Sequence, residues 1–162
     1  MSGVLFPETV DEAKARIKAN LTEGIRCPCC DRLAKRYWRS IYHGQVTRMV
    51  RLYRLMQTAK PLDPWFHLTK FDAPGGNEFA KLKHWDLLDG RALTPDEDTG
   101  EKKTSGCWRL SDRGVAFVRR ELSVPKYAIV YNDCVEWFEG PMVLISECVK
   151  KNFNYDELWS GP

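Results

Sequence analysis

Long apolar runs are missing from this chain. No hydrophobic stretch approaches the roughly 20 residues that cross a bilayer as a helix, so a membrane-spanning helix is not expected. The opening MSGVLFPETVDEAKARIK carries acidic residues and no apolar centre, so a secretory leader is not expected either. Histidine is scarce, at three residues. There is no HExxH, no glycine-rich phosphate loop closed by Lys and Ser or Thr, no Gly-x-Ser-x-Gly, and no carboxylate pair beside a histidine. Nor is there an internal repeat or a low-complexity tract. These absences lead to the expectation that the protein is not an enzyme.

What is present describes a globular domain. The chain has 162 residues, 43% hydrophobic and 12% aromatic, which suits a packed core and argues against disorder. A chain of this length buries about two thirds of its unfolded surface without needing disulfide staples. With a cytoplasmic location expected, the six cysteines read as thiols or metal ligands. The net charge of +3 conceals an asymmetry. Residues 26–60 hold nine Arg or Lys and a single acid, Asp31, whereas residues 127–162 hold two Lys and six acids. A basic first half invites a polyanion.

Along the chain, Thr9 or Asp11 can cap a first helix running to about Asn20, with Ala13, Ile17 and Leu21 on one face. The stretch RLAKRYWRSIYHG favours extended structure, and Tyr37, Trp38 and Tyr42 are expected in the core before they are expected as stacking platforms. QVTRMVRLYRLMQTA is the clearest helix: Val46, Met49, Val50, Tyr53 and Met56 make its apolar stripe, and Arg48, Arg51 and Arg54 recur on another flank. A short helix from Asn77 to near Gly90, a polar hairpin loop, the strand CWRL and a helix capped by Ser111 follow. KYAIVYNDCVEWF is expected to be a hairpin turning at Asn132-Asp133, an appendage to the preceding helices, with Ser146 capping a last short helix. The fold class is α+β. Its parts are an N-terminal helix and cysteine knuckle (1–44), a central unit (45–122) and a C-terminal hairpin and helix (123–162), packed together.

Cys27-Pro28-Cys29-Cys30 places Cys27 and Cys30 at CxxC spacing, which lets two thiolates reach one tetrahedral ion from a tight turn. This is half of a zinc site. His67, after Trp65-Phe66, is the candidate remote ligand. A turn with reduced cysteines and a redox pair are the competing readings, and the redox pair lacks the strand-helix-strand order it requires.

Lys81-Leu82-Lys83-His84-Trp85-Asp86-Leu87-Leu88 sets out a helix exit. Trp108-Arg109-Leu110-Ser111-Asp112-Arg113-Gly114 sets out a strand ending in Leu-Ser and a helix opening on Asp-x-Gly. With the polar hairpin between them, this order over residues 45–121 resembles the winged-helix DNA-binding proteins of the MarR and PadR type. The whole layout is similar to small uncharacterised bacteriophage proteins with an N-terminal CxxC. The winged-helix resemblance implies that a third helix enters the major groove of double-stranded DNA while a two-stranded wing meets the backbone.

The residues placed to do this are Asn77, Lys81, Lys83 and His84 on the helix and Arg91, Lys102, Lys103 and Arg109 on the wing. Lys35, Arg36, Arg39, Arg48, Arg51 and Arg54 would add phosphate attraction. The same wing carries Asp96, Glu97, Asp98 and Glu101, which a phosphate backbone repels, and the C-terminal part is acidic and aromatic. These features suit an alternative function, a phage-type factor that docks on a host protein or nucleoprotein.

Overall fold

The structure, a computed structural model, describes residues 8–58, 65–71, 77–101 and 104–160. Thr9 opens helix α1 (Val10–Ala19) with a reciprocal cap: its hydroxyl accepts from the Glu12 amide at 3.3 Å and its own amide donates to the Glu12 carboxylate at 2.8 Å. Ala13 and Leu21 are buried, and Gly24 turns the chain away at a φ of 90° that glycine tolerates. Strands β1 (Ile25–Arg26) and β2 (Leu33–Ala34) pair antiparallel around the cysteine turn. Strand β3 (Tyr37–Ser40) follows, and then helix α2 (His43–Thr58).

Helix α2 is the spine of the core. Val46, Met49, Val50 and Leu52 are fully buried, each contributing about 1.5–3 kcal/mol relative to exposure. The buried Gln45 is satisfied at both ends: its carbonyl accepts from the Tyr42 amide (3.2 Å) and its amide donates to the Glu78 carbonyl (2.7 Å). That second bond ties the start of α2 to the next helical segment. Strand β4 (Phe66–His67) runs into a 3₁₀ turn (Leu68–Phe71). Helix α3 (Asn77–Ala80) then tightens into a second 3₁₀ turn (Lys81–Trp85).

The expectation of a helix reaching Gly90 is corrected here. Asp86 adopts a left-handed φ of 57° and ends the turn. Leu88–Gly90 is strand β5, paired with β6 (Cys107–Leu110) in the register Leu88 to Leu110. Strand β6 also pairs with β4, so the order in this sheet is β4-β6-β5. Ser111 then caps α4 (Asp112–Val118), accepting from the Gly114 amide at 3.0 Å and donating to the Asp86 carbonyl at 2.5 Å.

Strands β7 (Val124–Tyr131) and β8 (Cys134–Val143) form the expected hairpin, with Asn132 and Asp133 at φ of 50° and 60° in its two-residue turn. It is not an appendage. Strand β7 pairs with β3 on its other side, giving the order β3-β7-β8. Val124, Ala128 and Val130 join the core cluster that runs from Ile41 to Tyr155. Ser146 is not a cap: the last 3₁₀ turn (Ile145–Cys148) is closed by Glu147, whose carboxylate accepts from the Leu144 amide at 2.6 Å. A further helix, α5 (Tyr155–Ser160), docks through the buried Tyr155, whose hydroxyl donates to the Val118 carbonyl at 2.6 Å. The fold is α+β, and among the described residues no helix is long and apolar enough to cross a membrane.

Candidate nucleic-acid interface

The register of the β3-β7-β8 sheet decides which side chains meet. Arg39 faces Ala128 and Phe138, Tyr37 faces Val130 and Val135, and Trp38 faces Ile129 and Trp137. Alternation therefore puts Tyr37 and Arg39 on the side of the core residues Ala128 and Val130. The 3₁₀ turn Lys81–Trp85 packs against this side, and the Trp85 indole donates to the Pro125 carbonyl at 2.8 Å. It leaves a cleft on each flank.

Toward β3 lies a cavity of about 450 Å³, lined by Arg32, Lys35, Arg39, Lys81 and His84, with Asp133 and the thiols of Cys27 and Cys30 also on its wall. Toward β8 lies one of about 880 Å³, whose lining includes Lys81, Lys83, Trp108, Glu136, Trp137 and Phe138. Four cations, Arg32, Lys35, Arg39 and Lys81, thus converge with His84 on the first cavity, against the single acid Asp133. Low-dielectric walls around one sign of charge focus a field that attracts anions.

The side chains in these clefts are held. Lys81 is paired with Glu78, whose carboxyl is kept below its usual range first by Lys81 and more weakly by Arg39. His84 is only 10% exposed, with its Nε2 3.7 Å from the Asp133 carboxylate. Burial lowers its pKa, and the attraction of Asp133 offsets this only in part. Lys83 lies over the Trp108 ring at 4.8 Å. Arg39 stacks on Tyr37 at 5.0 Å and Arg36 on Trp137 at 5.1 Å, and Arg36 also pairs with Glu136 at 2.5 Å.

Tyr37, Trp38 and Tyr42 are exposed, not core, at 42%, 45% and 41%. Tyr37 and Trp38 lie on β3, at the sheet edge, and Tyr42 follows it before α2. A flat, half-exposed ring beside a guanidinium group, as Tyr37 is beside Arg39, is what base stacking uses.

Among the described residues, Arg48, Arg51, Arg54 and Arg109 do not join this group. Arg51 and Arg54 line a separate depression with Thr69 and Lys70, and Arg54 also donates to the Leu158 and Trp159 carbonyls of α5. The Arg48 guanidinium lies beside Gly44 at the opening of α2. Arg109 pairs with Asp89 at 3.1 Å and lies over Trp65. Lys102, Lys103 and the side chain of Asn77 fall outside the described residues. In the hairpin loop, Glu97 is engaged internally: Arg91 at 2.7 Å and then the Thr94 amide and hydroxyl hold its carboxyl down at about 2.

His67 lies on β4, its Nδ1 3.0 Å from the Thr69 hydroxyl. Among the described residues no group of three His, Cys, Asp or Glu donors gathers as a metal site, so Cys27, Cys30 and His67 are not brought together. Sequence reasoning missed Arg32, hidden inside the knuckle, and Asp133, read only as a turn residue. The chain matches no family model, no curated protein and no solved structure.

Proposed function

We propose that the protein binds DNA without catalysing a reaction, using the basic clefts on either side of the Lys81–Trp85 turn, and that it serves as a regulator of the phage type. The observation that carries this reading is the convergence of Arg32, Lys35, Arg39, Lys81 and His84 on one cavity. The winged-helix resemblance supports it, since a helix, a strand, a short helical segment and two antiparallel strands follow one another from α2 to β6.

The recognition segment differs in one respect from a helix that fills a major groove. Half of it is 3₁₀, and the β7-β8 hairpin abuts it through Trp85 and Asp133. Contacts to phosphate and to unstacked bases on Tyr37 then outweigh base-edge reading, and such contacts position a protein without specifying sequence. Binding is weakly sequence-dependent and steeply salt-dependent. A mobility shift with unrelated duplexes, and with single strands of the same sequence, tests it: retention of all duplexes at low salt supports the reading, and retention of none removes it.

The second reading, docking on a host protein or nucleoprotein, is favoured by strand β8. It is a sheet edge, and Trp137, Phe138 and Met142 are 41%, 44% and 57% exposed along it. An edge with exposed large apolar side chains pairs readily with another chain. A stoichiometric protein retained after nuclease treatment distinguishes this reading from DNA binding.

A further inference from the structure

The cysteine turn is built more carefully than its length requires. The Cys27 amide donates to the Arg32 carbonyl at 2.8 Å and the Asp31 amide donates to the Cys27 carbonyl at 2.9 Å. Asp31 takes a left-handed φ of 56° to close the loop. Arg26 braces it from outside, donating to the Asp31 carbonyl at 2.9 Å and pairing with its carboxylate at 3.3 Å. The closed turn leaves Cys27 and Cys30 three residues apart on the wall of the same cavity. Two thiols at this spacing in a tight turn can reach one tetrahedral thiophilic ion together.

Yet the hairpin that carries this turn has two residues in each strand, and Leu33 on it is 55% exposed. A ladder so short is at best marginal in water and gains most from an added cross-link.

The turn supplies two donors and a structural zinc ion takes four. Every cysteine and histidine of the chain lies among the described residues, and these bring no third donor to Cys27 and Cys30. Cys29 and Cys30 are exposed, so the sulfur pair can be approached from outside.

We propose that one zinc ion joins two copies of this chain, held by Cys27 and Cys30 of each. The site is incomplete in one copy, and a two-fold axis through the ion completes it with an identical half. Four thiolates around a divalent ion carry a net charge of about −2. Arg26 and Arg32, which flank the turn in each copy, offset that charge and otherwise would repel one another. The proposal is independent of DNA binding, because the ion is held by thiols and, of the cations that line the basic cavity, only Arg32 stands beside it.

The test uses the full chain, stripped with chelator, kept reduced with a phosphine and titrated with zinc chloride. Bound metal is measured by mass spectrometry and molar mass by light scattering, with circular dichroism as the folding control. The expected result is one zinc for every two chains, a doubling of the 18.8 kDa mass and reversal by chelator. Cobalt in place of zinc should show the visible absorption of a tetrahedral thiolate site. Cys30→Ser should abolish both metal uptake and dimer, and Cys134→Ser, on the exposed end of β8, should change neither. One zinc per monomer, no zinc at all, or a metal-dependent dimer that survives Cys27→Ser with Cys30→Ser each overturns the proposal.

Discussion

A methyl group added to Gly114 would lie 2.1 Å from the carbonyl oxygen of Leu87. The first turn of α4 is thus seated directly on the backbone that leaves the Lys81–Trp85 turn, and Ser111 fastens the same junction through the Asp86 carbonyl. The Asp-x-Gly at the start of this helix is a packing requirement, and it fixes how the basic turn is presented.

Gly114→Ala should therefore destabilise the fold by about 1–3 kcal/mol, the range for forcing extra atoms into a packed site. Urea unfolding followed by circular dichroism checks this. An unchanged midpoint would mean that α4 is not seated on Leu87.

Tyr155→Phe removes the donor to the Val118 carbonyl and leaves that carbonyl buried without its partner. A loss of about 1 kcal/mol is expected, seen as a fall of about 2–4 °C in melting temperature for a domain of this size. No change would mean that α5 is not docked through this bond.

The His84 ring is buried and resists protonation. The unfolded chain takes up that proton near the ordinary histidine value of about 6.5, so below this pH the unfolded state binds more protons and stability falls. The loss levels off once the folded His84 is also protonated. Unfolding midpoints at pH 7.5 and 5.5 should separate in the parent protein and separate less in His84→Gln. Equal separations would contradict the burial of this ring.

Much of the local structure was legible because it depends on neighbours in the chain. The Thr9 and Glu12 cap, the Val46, Met49 and Val50 stripe, the Ser111 cap and the Asn132-Asp133 turn each rest on contacts within a few residues. The pairing of β3 with β7 joins Tyr37 to Val130 across most of the chain, and no local pattern announces it. That pairing moved the hairpin from appendage to core. By leaving β3 at the edge, it exposed Tyr37 and Trp38, which hydrophobicity alone assigns to the interior.

The basic run looked like one surface in sequence, but α2 carries Arg51 and Arg54 toward Thr69 and Lys70 while β3 carries Arg39 toward His84. Helix α5 went unread because its short pattern, YDELWS, is stabilised by Tyr155 reaching Val118 and not by its own repeat.

Charge reversal should separate the two groups of cations. Lys35→Glu with Lys81→Glu should weaken DNA binding about tenfold or more and lower the salt slope by about 2, since each phosphate contact contributes about 0.9. Lys150→Glu with Lys151→Glu, on exposed residues after the last 3₁₀ turn, should have little effect. Anisotropy with a labelled duplex measures both, and equal losses would place the contact elsewhere.

The most direct test of the central claim is the affinity of the unaltered protein for a duplex measured across a range of salt concentrations. The basic cavity predicts a linear fall of log affinity with log salt, with a slope of about −3 to −4 for four or so phosphates neutralised, and nearly the same value for unrelated sequences. A slope near zero, or no binding at the lowest salt, would contradict it.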